Sequence, residues 1–161
     1  MAYGDTRVSL KTLAGAIILT SIATGFVVTV SSQAPSIRQY ISLREPRPTT
    51  VYSDAVVAGN LVYIAARIGT DPATGKVPDD PELEAKFVMD QIKSVVEKTG
   101  LTMDDIVNVQ VFCPDPSTHS AKFNGVYRKY FGQNVPARAF TGSGPLLGGG
   151  RYQVQAIAMK R

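Results

Sequence analysis

Apolar and polar residues repeat with two different periods along residues 51–161, and the switches between them mark the elements. Val56 to Tyr63 holds two apolar runs around Ala58-Gly59-Asn60, a turn signal, and so predicts a hairpin. The second run, Leu61 to Ala66, predicts a buried strand, and Asp71-Pro72-Ala73-Thr74-Gly75 is a loop by composition. A helix follows. Asp80 can cap it, Pro81 suits its first position, and Val88, Ile92, Val95 and Val96 form one stripe at helical spacing before Gly100 ends it. From Ile106 to Phe112 the period changes to two, with Val107, Val109 and Val111 alternating against Asn108 and Gln110. Asp115-Pro116-Ser117 opens a second helix whose core stripe is Phe123, Val126, Tyr127, Tyr130 and Phe131, with Gly132 as its stop. Ala137 to Thr141 is a short strand, residues 142–150 are loop-like, and Tyr152 to Met159 is a last strand with Val154, Ala156 and Ala158 inward. The order β-β-α-β-α-β-β predicts an α+β domain, one sheet with two helices on one face. The other face needs cover, so association between copies is expected.

The N-terminal part is different. Residues 1–11 form a tail, and Thr12 to Val30 is a run of 19 uncharged residues. As a helix at about 1.5 Å per residue it spans roughly 28 Å, about one hydrocarbon core. A cleaved signal segment has a shorter apolar region and a small-x-small site. Ser32-Gln33-Ala34 offers such a site, but Pro35 follows it and the run is long, which favours an uncleaved single-pass transmembrane helix in contact with lipid. Arg7 and Lys11 precede the run, while Arg38, Arg44 and Arg47 follow it. The later charges favour a cytoplasmic domain. The short basic tail favours a non-cytoplasmic one, which is the side adopted here. Residues 31–50, with Pro35, Pro46 and Pro48, read as an extended linker.

Charge narrows the function. The net charge is +4, of which residues 1–50 carry +3 through five basic and two acidic residues. The nearly neutral remainder lacks the footprint of a nucleic-acid binder. One cysteine, Cys113, and one histidine, His119, exclude a disulfide framework and a multi-histidine metal centre. Cys113 reads as a small buried hydrophobe without a basic neighbour, and His119 as solvent-facing. The glycine-rich stretch 142–150 lacks the Gly-Lys-Ser/Thr ending of a phosphate loop and lies between strands.

Several strings together resemble the Rid family (RidA/YjgF). They are Tyr52-Ser53-Asp54-Ala55, Gly59-Asn60-Leu61-Val62, Asp71-Pro72-Ala73-Thr74-Gly75, Asp104-Asp105-Ile106-Val107, Val126-Tyr127, Tyr130-Phe131, Pro136-Ala137-Arg138 and Gln155-Ala156-Ile157-Ala158. The resemblance covers residues 51–161. It implies a chorismate-mutase-like fold, a homotrimer with sites between subunits, and cofactor-free hydrolysis of enamine/imine intermediates to 2-oxo acids and ammonia. It further implies that Arg138 grips the substrate carboxylate with two parallel hydrogen bonds, as a guanidinium can, and that Tyr52 lines the pocket. The departures are at the chemistry. Where the enzymes have a water-activating glutamate, 15 positions after the arginine, this chain has Gln153, and a second family glutamate is Gln155. The family's Ser-Gly-Gln stretch reads Ala65-Ala66-Arg67, which brings bulk and charge. An amide can hold water but cannot accept its proton, and losing a general base typically lowers the rate by about 10²–10⁴-fold. The expectation is therefore a membrane-anchored Rid-like domain, non-catalytic or weakened, that binds a small carboxylate or serves as an accessory subunit beside membrane-protein partners. The alternative is a working 2-iminobutanoate/2-iminopropanoate deaminase.

Overall fold

The computed structural model describes residues 38–44 and 51–161. The tail at 1–11, the apolar run at 12–30 and most of the stretch 31–50 lie outside the described residues. Among the described residues no helix is long and apolar enough to cross a membrane.

Among the described residues, six strands and two α-helices follow in the order β1 (Gln39–Ile41), β2 (Ala55–Ala58), β3 (Leu61–Ile68), α1 (Pro81–Lys98), β4 (Ile106–Cys113), α2 (Pro116–Tyr127), β5 (Ala137–Gly142) and β6 (Gln153–Met159). They form one sheet in the order β1-β2-β3-β6-β4-β5. Only β4 and β5 run parallel; every other neighbouring pair is antiparallel. The mixed α+β sheet with two helices is as the residue pattern predicts.

One boundary and one side-chain facing differ from that pattern. Gln39–Ile41, within the stretch read as linker, is an edge strand paired Gln39 to Val57 and Ile41 to Ala55. Three residues hold too little alternation to register as a period. The domain therefore begins before residue 51. The second difference is Val107, expected inward but 40% exposed. Between Ile106 and Asn108 the β4–β6 register slips, so Ile106 stands opposite Ala158 and Asn108 opposite Ile157. The extra residue is a bulge that turns Val107 out and leaves Ile106 and Val109 in the core.

The core lies between the sheet and the helices. Val62 and Ile64, Val109 and Val111, and Val154, Ala156 and Ala158 are buried against Val88, Met89, Ile92, Val95 and Val96 of α1. Helix α1 starts as its sequence dictates: the Asp80 carboxylate accepts the Glu82 amide at 2.9 Å, and Pro81 needs no amide partner.

Among the described residues one carboxylate, that of Glu84, is fully buried. The Glu84 carboxylate on α1 accepts the backbone amides of Arg151 and Tyr152 at 2.6 and 3.1 Å, and the Arg151 guanidinium at 2.7 Å. Arg151 also donates to the carbonyls of Pro78 and Asp79. This joint draws α1 against the ends of β3 and β6 so closely that two glycines are required. A Cβ on Gly69 would lie 2.1 Å from the Glu84 carbonyl oxygen, and one on Gly150 would lie 2.7 Å from Ile68 Cγ2.

Glu84→Ala leaves those amides without a partner in a dry site and should lower stability by about 3–5 kcal/mol. Gly69→Ala should lower it by about 1–3 kcal/mol through overpacking. Urea unfolding at neutral pH measures both; a loss below about 1 kcal/mol for Glu84→Ala would show that the joint is not structural.

Candidate functional site

Arg138 stands on edge strand β5, in register with Val109 of β4. Val109 faces the helices, and so does Arg138: its guanidinium carbon lies 4.6 Å from the centre of the Tyr127 ring on α2 and 5.7 Å from that of Phe140. Among the described residues no carboxylate pairs with it, so its charge remains available to an anion.

Tyr52, Ala65 and Arg67 gather elsewhere, where the start of β2 meets the end of β3. Between Ile64 and Arg67 a bulge slips the register against β6, so that Arg67 stands opposite Val154. The Arg67 guanidinium pairs with the Asp54 carboxylate and lies 6.0 Å from the centre of the exposed Tyr52 ring. The Ala65 amide donates to the Asp54 carbonyl at 3.0 Å, and the Leu43 amide to its carboxylate. Arg67 thus brings bulk but little free charge, because Asp54 answers it. Burial disfavours ionised Asp54. The Leu43 amide and Arg67, helped by Arg44, outweigh that and hold its carboxyl below the ordinary value.

Gln153 opens β6, opposite Ile68 of β3 and Phe112 of β4. Its neighbour Val154 is buried on the helix side, so Gln153 points to the open face with Gln155 and Gln110, which hydrogen-bond to each other at 2.6 Å. Phe112 is in register with Thr141, three residues beyond Arg138 on β5. Gln153 and Arg138 are thus separated by two strand spacings of about 4.8 Å, by about 10 Å along the strands, and by the sheet itself. One chain does not bring them together. Arg138 lies at one edge of the sheet, and Tyr52, Ala65 and Gln153 lie around β2, β3 and β6.

A separate groove of about 270 Å³ is lined by Pro114, Asp115, His119, Pro145, Leu146 and Arg151, and none of the site residues expected from the sequence lies in it. His119, expected to face solvent, is half-buried with its ring edge-on to Tyr152, at 6.1 Å between centroids. The Tyr152 hydroxyl donates to the His119 carbonyl, which draws the first turn of α2 inward. Ser117 and Thr118 hold the capping carboxylate of Asp115 down at about 2. Cys113 is buried, and burial pushes its thiol up, as its apolar surroundings predict. Three residues that the sequence pattern does not single out border these side chains: Asp54 beside Arg67, and Tyr127 and Phe140 beside Arg138. The charge of Asp54 near Tyr52 is a signal for it. The helical spacing of Tyr127 signals core.

Comparison with known proteins follows the same outline. The Endoribonuclease L-PSP family model matches residues 42–160, which reaches into the stretch read as linker. A RutC family protein of Pyrococcus abyssi is 36% identical over 118 residues, covering 73% of this chain and 92% of its own. The 2-iminobutanoate/2-iminopropanoate deaminase of Capra hircus is 34% identical over 126 residues, covering 77% and 91%. Among solved structures, the YjgF gene product of E. coli superposes with a TM-score of 0.69 at 30% identity, covering 76% of this chain and 99% of that one.

Asp54→Asn tests the pairing that silences Arg67. A depressed folded-state pKa contributes stability above the unfolded value and loses it as pH falls through the folded one. The variant should be about 1–3 kcal/mol less stable at pH 7. That gap should close as the pH falls below about 4. Urea unfolding across this range measures it; a gap independent of pH would mean the carboxylate charge is not what matters.

Proposed function

Because the chain belongs to the Endoribonuclease L-PSP family, the Rid/YjgF family, we propose that its folded domain binds small 2-oxo or 2-imino carboxylates through Arg138 and hydrolyses imines only weakly. The observation that carries this reading is an arginine left without a carboxylate partner among the described residues, in a chain with an amide in place of an acid. Arg138 has no carboxylate partner among the described residues, and Gln153 holds the position at which the enzymes resembled have glutamate.

Hydrolysis of a 2-imino acid adds water to the imine carbon, moves a proton from the water oxygen to the nitrogen, and then breaks the carbon–nitrogen bond. A 2-oxo acid and ammonia leave. Gln153 can orient the water through its amide, but it cannot take the proton, so that transfer loses its base. Ala65 offers no hydroxyl to assist. The separation of Arg138 from Gln153 within one chain supports a site completed between copies, and among the described residues no helix lies over the sheet face bearing Gln110, Gln155, Tyr63 and Ile157. The proposed assembly is a homotrimer. The proposed location is a membrane, reached through residues 12–30, with the domain on the non-cytoplasmic side and an accessory role beside membrane-protein partners. A working deaminase is the second reading, favoured by the relatives that bear that name.

Turnover of freshly generated 2-iminopropanoate separates the two. Wild type should be slow, Gln153→Glu should raise the rate by about 10-fold or more, and Arg138→Ala should abolish the gain. Rapid wild-type turnover would overturn the weakened reading. Sedimentation of residues 35–161 should give about three chains, and the full chain should stay with membranes after alkaline washing. A stable monomer would reject the trimer, and release by the wash would reject the anchor.

A further inference from the structure

Arg138 is an exposed side chain on the outermost strand, with no ion pair among the described residues to hold it. A long side chain in that position samples many rotamers, and a carboxylate clamp built on it would have to order the guanidinium at each binding event. The surroundings remove that freedom. The Tyr127 ring lies under the guanidinium at 4.6 Å and Phe140 flanks it at 5.7 Å, both within the range at which a cation is held by an aromatic face. Neither ring is itself free. Tyr127 is 3% exposed and packs on Phe123 at 5.7 Å and Phe131 at 4.7 Å, while Phe140 meets Phe123 edge-on at 5.5 Å. Phe123 is fully buried. The stack thus runs from the core of α2 to the edge of the sheet.

We propose that Tyr127 is a positioning residue for Arg138, its ring face, with that of Phe140, fixing the guanidinium plane so that the paired N–H edge is free for an anion. This rests on the carboxylate reading above. The hydroxyl plays no part in it: it is buried and finds no hydrogen-bond partner among the described residues. Burial pushes the phenol up to about 12 against the pull of Arg138, so the ring stays neutral. A ring face is what this position uses, and an aliphatic residue of similar bulk would pack without holding the cation.

The test uses the full-length chain, pyruvate as probe, and the Arg138 Nε–H resonance, assigned by its loss in Arg138→Lys. In wild type that resonance should be displaced by ring current. Tyr127→Phe should keep both the displacement and the pyruvate affinity to within about twofold. Tyr127→Leu should lose the displacement and bind pyruvate about fivefold more weakly or worse, yet cause no further loss in an Arg138→Ala background. A folded Tyr127→Leu with unchanged affinity overturns the proposal. So does an undisplaced Arg138 resonance in wild type, which decides the matter even where the leucine variant does not fold. Absence of pyruvate binding with the resonance still displaced supports the cradle and overturns the carboxylate reading instead.

Discussion

The fully buried carboxylate of Glu84 fixes the geometry on which the candidate site depends. Glu84 lies on α1, fully inside, and its three hydrogen bonds end on Arg151 and Tyr152, the two residues before β6. A buried charge is tolerated only when paired and hydrogen-bonded, and here the pairing crosses from helix to strand. Gln153 is the next residue, so its register is set by this joint. Gly69 and Gly150 are consequences of the same closeness, since a side chain at either would collide with Glu84 or Ile68. The chain from sequence to site therefore runs through packing, not through the site residues alone.

The second constraint is the one-sided sheet. Among the described residues, helices cover the face that carries Val62, Val109, Val154 and Ala156, and leave the face that carries Gln110, Gln153 and Gln155. Arg138 turns to the covered side at the far edge, where Tyr127 receives it. Arg138 and Gln153 thus occupy different faces of the sheet, the first on its edge strand β5 and the second on the central strand β6. The proposed function needs a neighbouring copy for this reason. The proposed chemistry differs from that of a general-base hydrolase for another reason: Gln153 is an amide, and the cation Arg67 is answered by Asp54.

Much of this was legible in the residues. Helix α1 announced its start through Asp80 and Pro81 and its end through Gly100, because capping is a local interaction. The alternation of β6 correctly turned Val154, Ala156 and Ala158 inward. What stayed hidden was set by distant partners. β1 is three residues long and exists only because β2 offers an edge. Val107 points outward because of a bulge against β6, and His119 lies half-buried because Tyr152 reaches its carbonyl. The match of the family model from residue 42 agrees with the earlier start of the domain. Within the site, Arg138 and Gln153 could be singled out through the resemblance to the Rid family. Tyr127 and Asp54 could not, because their importance lies in what they touch.

The measurement closest to the central claim is a crystal structure of the chain with pyruvate bound. The account predicts that the carboxylate rests on the paired N–H edge of Arg138 from one copy, with that guanidinium stacked on Tyr127. It also predicts that Gln153 of a neighbouring copy stands within one-water reach of the keto carbon. Pyruvate held away from Arg138, or bound there with no Gln153 of any copy in reach, would contradict it.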